Sequence, residues 1–199
     1  MLKANFITAQ EAAEKIQDGS ILCTIGMTLV SASESILKAI EKRFETVGHP
    51  ADITLVHSCG QSDRKDGIQH LAHEGLVKRI VGSHWGLQPR WMEMIANSQV
   101  EAYCLPQGQI AQLYRSMACG LPGKMSKVGL GTFIDPRVEG GKMNDRTKPL
   151  PDLVDILEYG GEEYMFYKEI PLDTVLIRGT VCDEMGNLTT TEEAMKLEV

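Results

Sequence analysis

Four short segments of this 199-residue chain bring glycine together with small polar residues in the way that ligand-binding turns do. They read Gly26-Met27-Thr28, Ser58-Cys59-Gly60-Gln61, Ser83-His84-Trp85-Gly86 and Pro106-Gln107-Gly108. Glycine lets a ligand approach the backbone, and free N–H groups at the start of a following helix attract a carboxylate or an oxyanion. Tight turns between elements need the same glycines, so spacing alone leaves both readings open. Gln107 carries the sharpest chemistry. A neutral amide just ahead of a helix can donate to an acyl oxygen as negative charge develops there, without adding a charge of its own. It would serve equally as a helix cap or as a solvated turn residue.

Other residue groups point less clearly. His70 and His73, with Glu74 beside them, have two metal-binding side chains but no third ligand spaced nearby, so no metal is expected. Cys23, Cys59, Cys104, Cys119 and Cys182 form no CxxC pair, and the ten methionines fall at core-like spacings. Gly129-Leu130-Gly131 lacks the third glycine and the following helix of a dinucleotide fingerprint. Residues 124–148 carry Lys124, Lys127, Arg137, Lys142, Arg146 and Lys148 against Asp135, Glu139 and Asp145, an excess of three positive charges. Such a glycine-rich basic excursion is either a solvated loop or a place where a phosphate-bearing ligand is tolerated.

The elements that must position these turns follow from hydrophobic periodicity. Thr8 and Glu11 make a capping box, and Ala12, Ala13 and Ile16 supply the apolar stripe of a first helix ended by Asp18-Gly19. A strand over 20–25 follows, then a helix opened by Ser31 and Glu34 with Ile36, Leu37, Ile40 and Phe44 on one face. Further strands are expected at 53–57, 79–83 and 100–105. A helix bearing Trp91, Met92 and Ile95 and another bearing Ile110, Leu113, Tyr114 and Met117 follow the last two. Alternation of this kind predicts an α/β fold, a three-layer open, mainly parallel sheet with helices over both faces. The segments 154–159 and 163–167 around Gly160-Gly161 read as a hairpin, and a strand at 174–178 completes the sheet. Thr189 with Glu192, or Thr190 with Glu193, announces one more helix, so residues 1–199 read as a single domain and as part of a larger polypeptide.

Composition bounds the function. Twenty basic and 27 acidic side chains give a formal charge of −7 and a pI near 5.3. That average field repels nucleic acid and anionic membrane surfaces, so neither is expected as a partner. The longest mostly apolar stretch, residues 21–30, is too short to span a bilayer, and no secretory signal is visible. An odd number of dispersed cysteines fits reduced thiols in the cytoplasm.

Together the motifs resemble the N-terminal, alpha domain of family I coenzyme A-transferases, most of all the single-chain acetate/propionate (acetoacetate) type. The resemblance rests on Asp18-Gly19, Ala72-His73-Glu74-Gly75-Leu76, Gly82 with His84-Trp85, Pro106-Gln107-Gly108, and the block from Lys127-Val128-Gly129-Leu130-Gly131-Thr132-Phe133 to Ile134-Asp135-Pro136-Arg137 with Gly140-Gly141-Lys142. Phe166-Tyr167 and Leu176-Ile177-Arg178-Gly179-Thr180 extend it. It implies transfer of CoA between short-chain carboxylic acids through a glutamyl-CoA thioester whose glutamate lies outside this chain, in a beta domain or subunit. It also implies coenzyme A as substrate, no permanently bound cofactor, and a homo-oligomer. Gln107 is then the residue that stabilises the oxyanion or orients the acyl group. Gly26, Met27, Gly60 and Gly108 line the acid pocket, and Arg137 and Lys142 are candidates for the CoA phosphates. Met27 stands where the family carries an aromatic, which leaves a flexible thioether at the pocket mouth. The same fold also serves acyl-CoA hydrolases, lyase alpha subunits and stand-alone ligand sensors.

Overall fold

Thr8 and Glu11 form the expected reciprocal cap: the Thr8 amide donates to the Glu11 carboxylate at 2.8 Å, and the Glu11 amide donates to the Thr8 hydroxyl at 3.2 Å. They open α1, Ala9–Glu14, in a computed structural model that describes residues 3–193. Four strand-and-helix steps follow. Strand β1 (Ile21–Thr24) leads to α2 (Glu34–Val47), and β2 (Ile53–Val56) to a 3₁₀ turn, Gly67–Leu71. Strand β3 (Val77–Gly82) leads to α3 (Pro89–Ala96), and β4 (Glu101–Cys104) to α4 (Gln107–Ala118). Later come β5 (Gly123–Ser126), β6 (Val154–Tyr159), β7 (Glu162–Lys168), β8 (Thr174–Leu176) and the small pair β9 (Val181–Cys182) and β10 (Leu188–Thr189).

The central sheet has five strands in the order β4-β3-β2-β1-β8, and every pairing in it is parallel. Because β1 to β4 march in one direction, right-handed crossovers put all their connections on one face. There Ile16, Leu37, Ile40, Leu71, Trp91 and Ile95 pack against Leu22, Leu55 and Ile80. The other face is not a plain helical layer. It is covered by α4, through Ile110 and Leu113, and by a second sheet, β5-β7-β6, through Val154, Met165 and Tyr167. The hairpin expected around Gly160-Gly161 is β6 and β7, and β5 joins it as a third antiparallel strand that periodicity did not show.

Three expectations shift. Helix α2 begins after Ser33, whose hydroxyl makes no capping bond, and not after Ser31, which sits at φ +61° inside a tight turn. Glu34 makes no cap there; its carboxylate instead accepts from the Gly67 amide at 2.9 Å. In α3 the buried partners of Trp91 are Met94 and Ile95, three and four residues on, while Met92 lies round the helix and is exposed. Of the helix expected from Thr189 or Thr190, Thr189 lies in β10 with its carbonyl accepting from the Thr180 amide, and residues 194–199 are outside the described residues.

The glycine-rich excursion has a structural task. The Cys104 amide donates to the Gly141 carbonyl at 2.7 Å, the Met143 amide to the Ala102 carbonyl at 3.0 Å, and the Ala102 amide to the Thr147 hydroxyl at 2.8 Å. Residues 141–147 therefore satisfy the open edge of β4, which would otherwise present unpaired backbone groups.

Candidate active site

In an open parallel sheet the ligand crevice forms where neighbouring strands send their connections to opposite faces. Here β3 runs into α3 on one face and β4 into α4 on the other, so that point lies beyond the carboxyl ends of β3 and β4. Gln107 is the first residue of α4 and stands at this point. It is half-buried, and its side-chain amide has no hydrogen-bond partner among the described residues. Gly108 follows on the exposed first turn with open space where a side chain would be. The Leu105 amide donates to the Gly82 carbonyl at 2.9 Å and the Cys104 thiol reaches the Ser83 carbonyl at 3.5 Å, so the β4 turn is braced on the β3 turn.

The turns after β1, β2 and β3 form the other wall. Gly26 has φ +129°, and a Cβ there would lie 2.6 Å from the Val30 carbonyl oxygen. Only glycine allows the turn in which Met27 and Val30 exchange backbone bonds at 3.0 and 2.9 Å. Thr28 is β-branched yet has φ +54°, a strained conformation held because its amide donates to the Gly60 carbonyl at 3.0 Å. Gly60 is buried, and a Cβ on it would meet the Gln88 side-chain amide and the His84 carbonyl, both at 2.8 Å. Gln61 is fully buried and donates to the Thr24 carbonyl at 2.8 Å. Ser83 donates to the Ser58 carbonyl. Gly26, Met27 and Gly60 are thus brought together by the main chain, with exposed His84 beside Gly60.

Arg137 and Lys142 lie in the excursion and are engaged with acids. Arg137 donates to Asp135 at 2.8 and 3.0 Å and to Glu163 at 2.9 Å, which holds the buried Asp135 carboxyl well below the usual carboxylate range. Lys142 pairs with Asp152 at 2.9 Å and donates to the Lys148 carbonyl at 3.2 Å. A phosphate would have to compete with these carboxylates for either cation.

His70 and His73 belong to an ion cluster between α2 and the 3₁₀ turn. His70 Nδ1 meets Glu41, and its Nε2 lies 2.9 Å from Glu34 and 3.3 Å from Asp66; His73 Nε2 lies 2.9 Å from Glu41. Lys38 neutralises Glu34 and Asp66 at 3.0 and 3.2 Å, and Arg90 lies 3.6 Å from Glu41. Burial alone would lower the His70 value, but its carboxylate partners outweigh that and raise it above 6.5. The stability this imidazolium contributes is full below pH 6.5 and disappears as pH rises through the raised value. In urea melts, His70→Gln is expected to lose more stability at pH 5.5 than at pH 9; an equal loss at both would show that the charge contributes nothing.

His57, Trp85 and Gln88 are wholly or almost wholly buried beneath the turns; Trp85 belongs to a turn the sequence marks, whereas His57 and Gln88 have no local signal there. What marks them is register, since His57 follows β2 opposite the end of β3, where Gly82 has no side chain.

The sequence profile of the coenzyme A transferase family matches residues 6–199. The chain belongs to the coenzyme A transferase family. It is similar to the caffeate CoA-transferase of Acetobacterium woodii, with 43% identity over 94% of this chain and 35% of that one. It is similar also to the acetate CoA-transferase YdiF of Escherichia coli, with 38% identity over 96% of this chain and 36% of that one. The crystal structure of the Escherichia coli acyl-CoA transferase YdiF apoenzyme superposes with a TM-score of 0.94 at 35% identity, covering 98% of this chain and 38% of that one. This coenzyme A transferase chain therefore spans little more than a third of the length of these relatives. No helix among its described residues is long and apolar enough to cross a membrane.

Proposed function

We propose that residues 1–199 form the alpha-type domain of an acyl-CoA:carboxylate CoA-transferase that acts on short-chain carboxylic acids. The observation that carries this reading is Gln107, an amide at the first turn of α4 with no hydrogen-bond partner among the described residues, at the crevice of a family member. A glutamate outside this chain attacks the acyl-CoA carbonyl, the C–S bond breaks, and CoA leaves as thiolate from an acyl-glutamyl anhydride. The thiolate then attacks the glutamyl carbonyl, releasing the first acid and leaving a glutamyl-CoA thioester. The incoming carboxylate repeats these steps in reverse, so CoA is a substrate and no resident cofactor takes part. Each attack puts negative charge on a carbonyl oxygen, and the Gln107 amide with the N-terminus of α4 is suited to receive it.

The names of the relatives support the transfer chemistry, and the shared fold supports a beta-type partner that completes the crevice. The same reading makes the enzyme a homo-oligomer and places it in the cytoplasm, which suits a sequence whose five dispersed cysteines form no CxxC pair. The test is to supply the complete enzyme with acetyl-CoA and either propionate, caffeate or water alone. Formation of a new acyl-CoA with ping-pong kinetics is the expected result. Release of free CoA without a new thioester would replace transfer by hydrolysis.

A further inference from the structure

His57 is fully buried directly after β2, and both of its ring nitrogens have partners whose roles are fixed. Its Nδ1 lies 2.8 Å from the Cys59 carbonyl oxygen, which can only accept, so Nδ1 carries a proton. Its Nε2 lies 3.1 Å from the Trp85 indole nitrogen, which can only donate, so Nε2 carries none. One neutral tautomer follows from geometry alone. Gly82 makes the space for it: a Cβ there would come within 2.4 Å of ring atoms Cε1 and Nε2. One bond of the ring holds the turn after β2 and the other holds the turn after β3. From the first of these turns Gly60 accepts from Thr28 and Gln61 donates to the Thr24 carbonyl, which carries the brace on to the turn after β1.

We propose that His57, as the neutral Nδ1–H imidazole, is a positioning residue for the reaction: it locks the turns after β2 and β3 together and so sets the crevice wall made by Gly60 and His84. The proposal rests on the reading of this crevice as the CoA-transfer site. Burial supports the neutral form, pushing the His57 value down to about 4. The groups that face the ring are Cys59 on its own turn and, from the turn after β3, Trp85 and His84, whose charge further opposes a second charge on His57. Once protonated, Nε2–H would point at the indole N–H, and the bond that holds the two turns would become a contact between two donors.

Nitrogen-15 NMR of the imidazoles in the unsubstituted protein tests the first half. The expected spectrum shows His57 as the Nδ1–H tautomer from pH 8 down to about pH 4. An Nε2–H tautomer, or titration near the ordinary 6.5, would overturn the proposal without any variant. Kinetics of Trp85→Phe in the complete enzyme test the second half, because this change keeps an aromatic ring while removing the donor, and the pH dependence separates the lost bond from the lost packing. The kcat for CoA transfer is expected to fall about ten- to a hundredfold with KM for acyl-CoA within about twofold of wild type. The acid limb of kcat should also move to higher pH, since Nε2 is then free to take a proton. An unchanged kcat, or a loss of activity with an unmoved acid limb, would assign Trp85 and His57 to packing alone. Failure of the unsubstituted enzyme to transfer CoA would defeat the functional reading and the catalytic half with it, while the NMR result still reports the tautomer.

Discussion

Gln107→Ala in the complete enzyme is expected to lower kcat by about 10²- to 10³-fold, a loss of about 2.7–4 kcal/mol of transition-state stabilisation, with little change in KM. The asymmetry follows from where the amide stands. Gln107 is the first residue of α4, has no protein partner to lose among the described residues, and is not part of either apolar core. Its removal therefore leaves the fold intact and takes away only a donor aimed at charge that exists in the tetrahedral states. The main-chain N–H groups at the start of α4 and their dipole remain, which is why the loss is not total. Gln107→Glu is the sharper control: it keeps the length, but a carboxylate beside a developing oxyanion repels it, so kcat should fall at least as far. Steady-state rates with acetyl-CoA decide the matter, and a wild-type kcat for Gln107→Ala would remove the residue from the mechanism.

Local signals made much of this domain legible in its sequence. The Thr8–Glu11 box, the short runs that form β2, β3 and β4 and the Gly160-Gly161 turn all act within a few residues, and each element forms, with β3 beginning two residues earlier than expected. The glycine-bearing turns converge for the same reason, because parallel strands of similar length must end together. What stayed hidden depends on partners far away in the chain. Ser31 looks like a cap until the Met27–Val30 turn forces it to positive φ. The basic count over 124–148 is real, but Arg137 meets Glu163 and Lys142 meets Asp152, and the excursion spends its backbone on the β4 edge. Strand β5 mixes Lys124 and Ser126 with a single fully buried residue, Gly123, and only its pairing with β7 makes it a strand. His57 carried no signal because a histidine ending an apolar strand acquires meaning only from the Gly82 and Trp85 that the next strand sets against it.

That juxtaposition also yields the largest expected effect on stability: Gly82→Ala should destabilise the fold by about 3–5 kcal/mol. At most core positions one added methyl costs less, because a neighbouring side chain turns to another rotamer. Here the neighbour is an imidazole with both nitrogens bonded and no exposed surface, and the new Cβ would sit 2.4 Å from two of its atoms. To make room the ring must release the Cys59 carbonyl, the Trp85 indole or both, and each group left buried without a partner costs about 1–3 kcal/mol on top of the steric strain. The backbone cannot yield instead, since the Gly82 carbonyl accepts from the Leu105 amide and the His57 amide donates to the Val81 carbonyl. Urea denaturation of Gly82→Ala measures this directly. If the cost does come from the ring, Gly82→Ala combined with His57→Ala should be more stable than Gly82→Ala alone, because the second change removes the obstacle. A double variant less stable than both single variants would place the cost in the backbone at position 82 and not in its contact with His57.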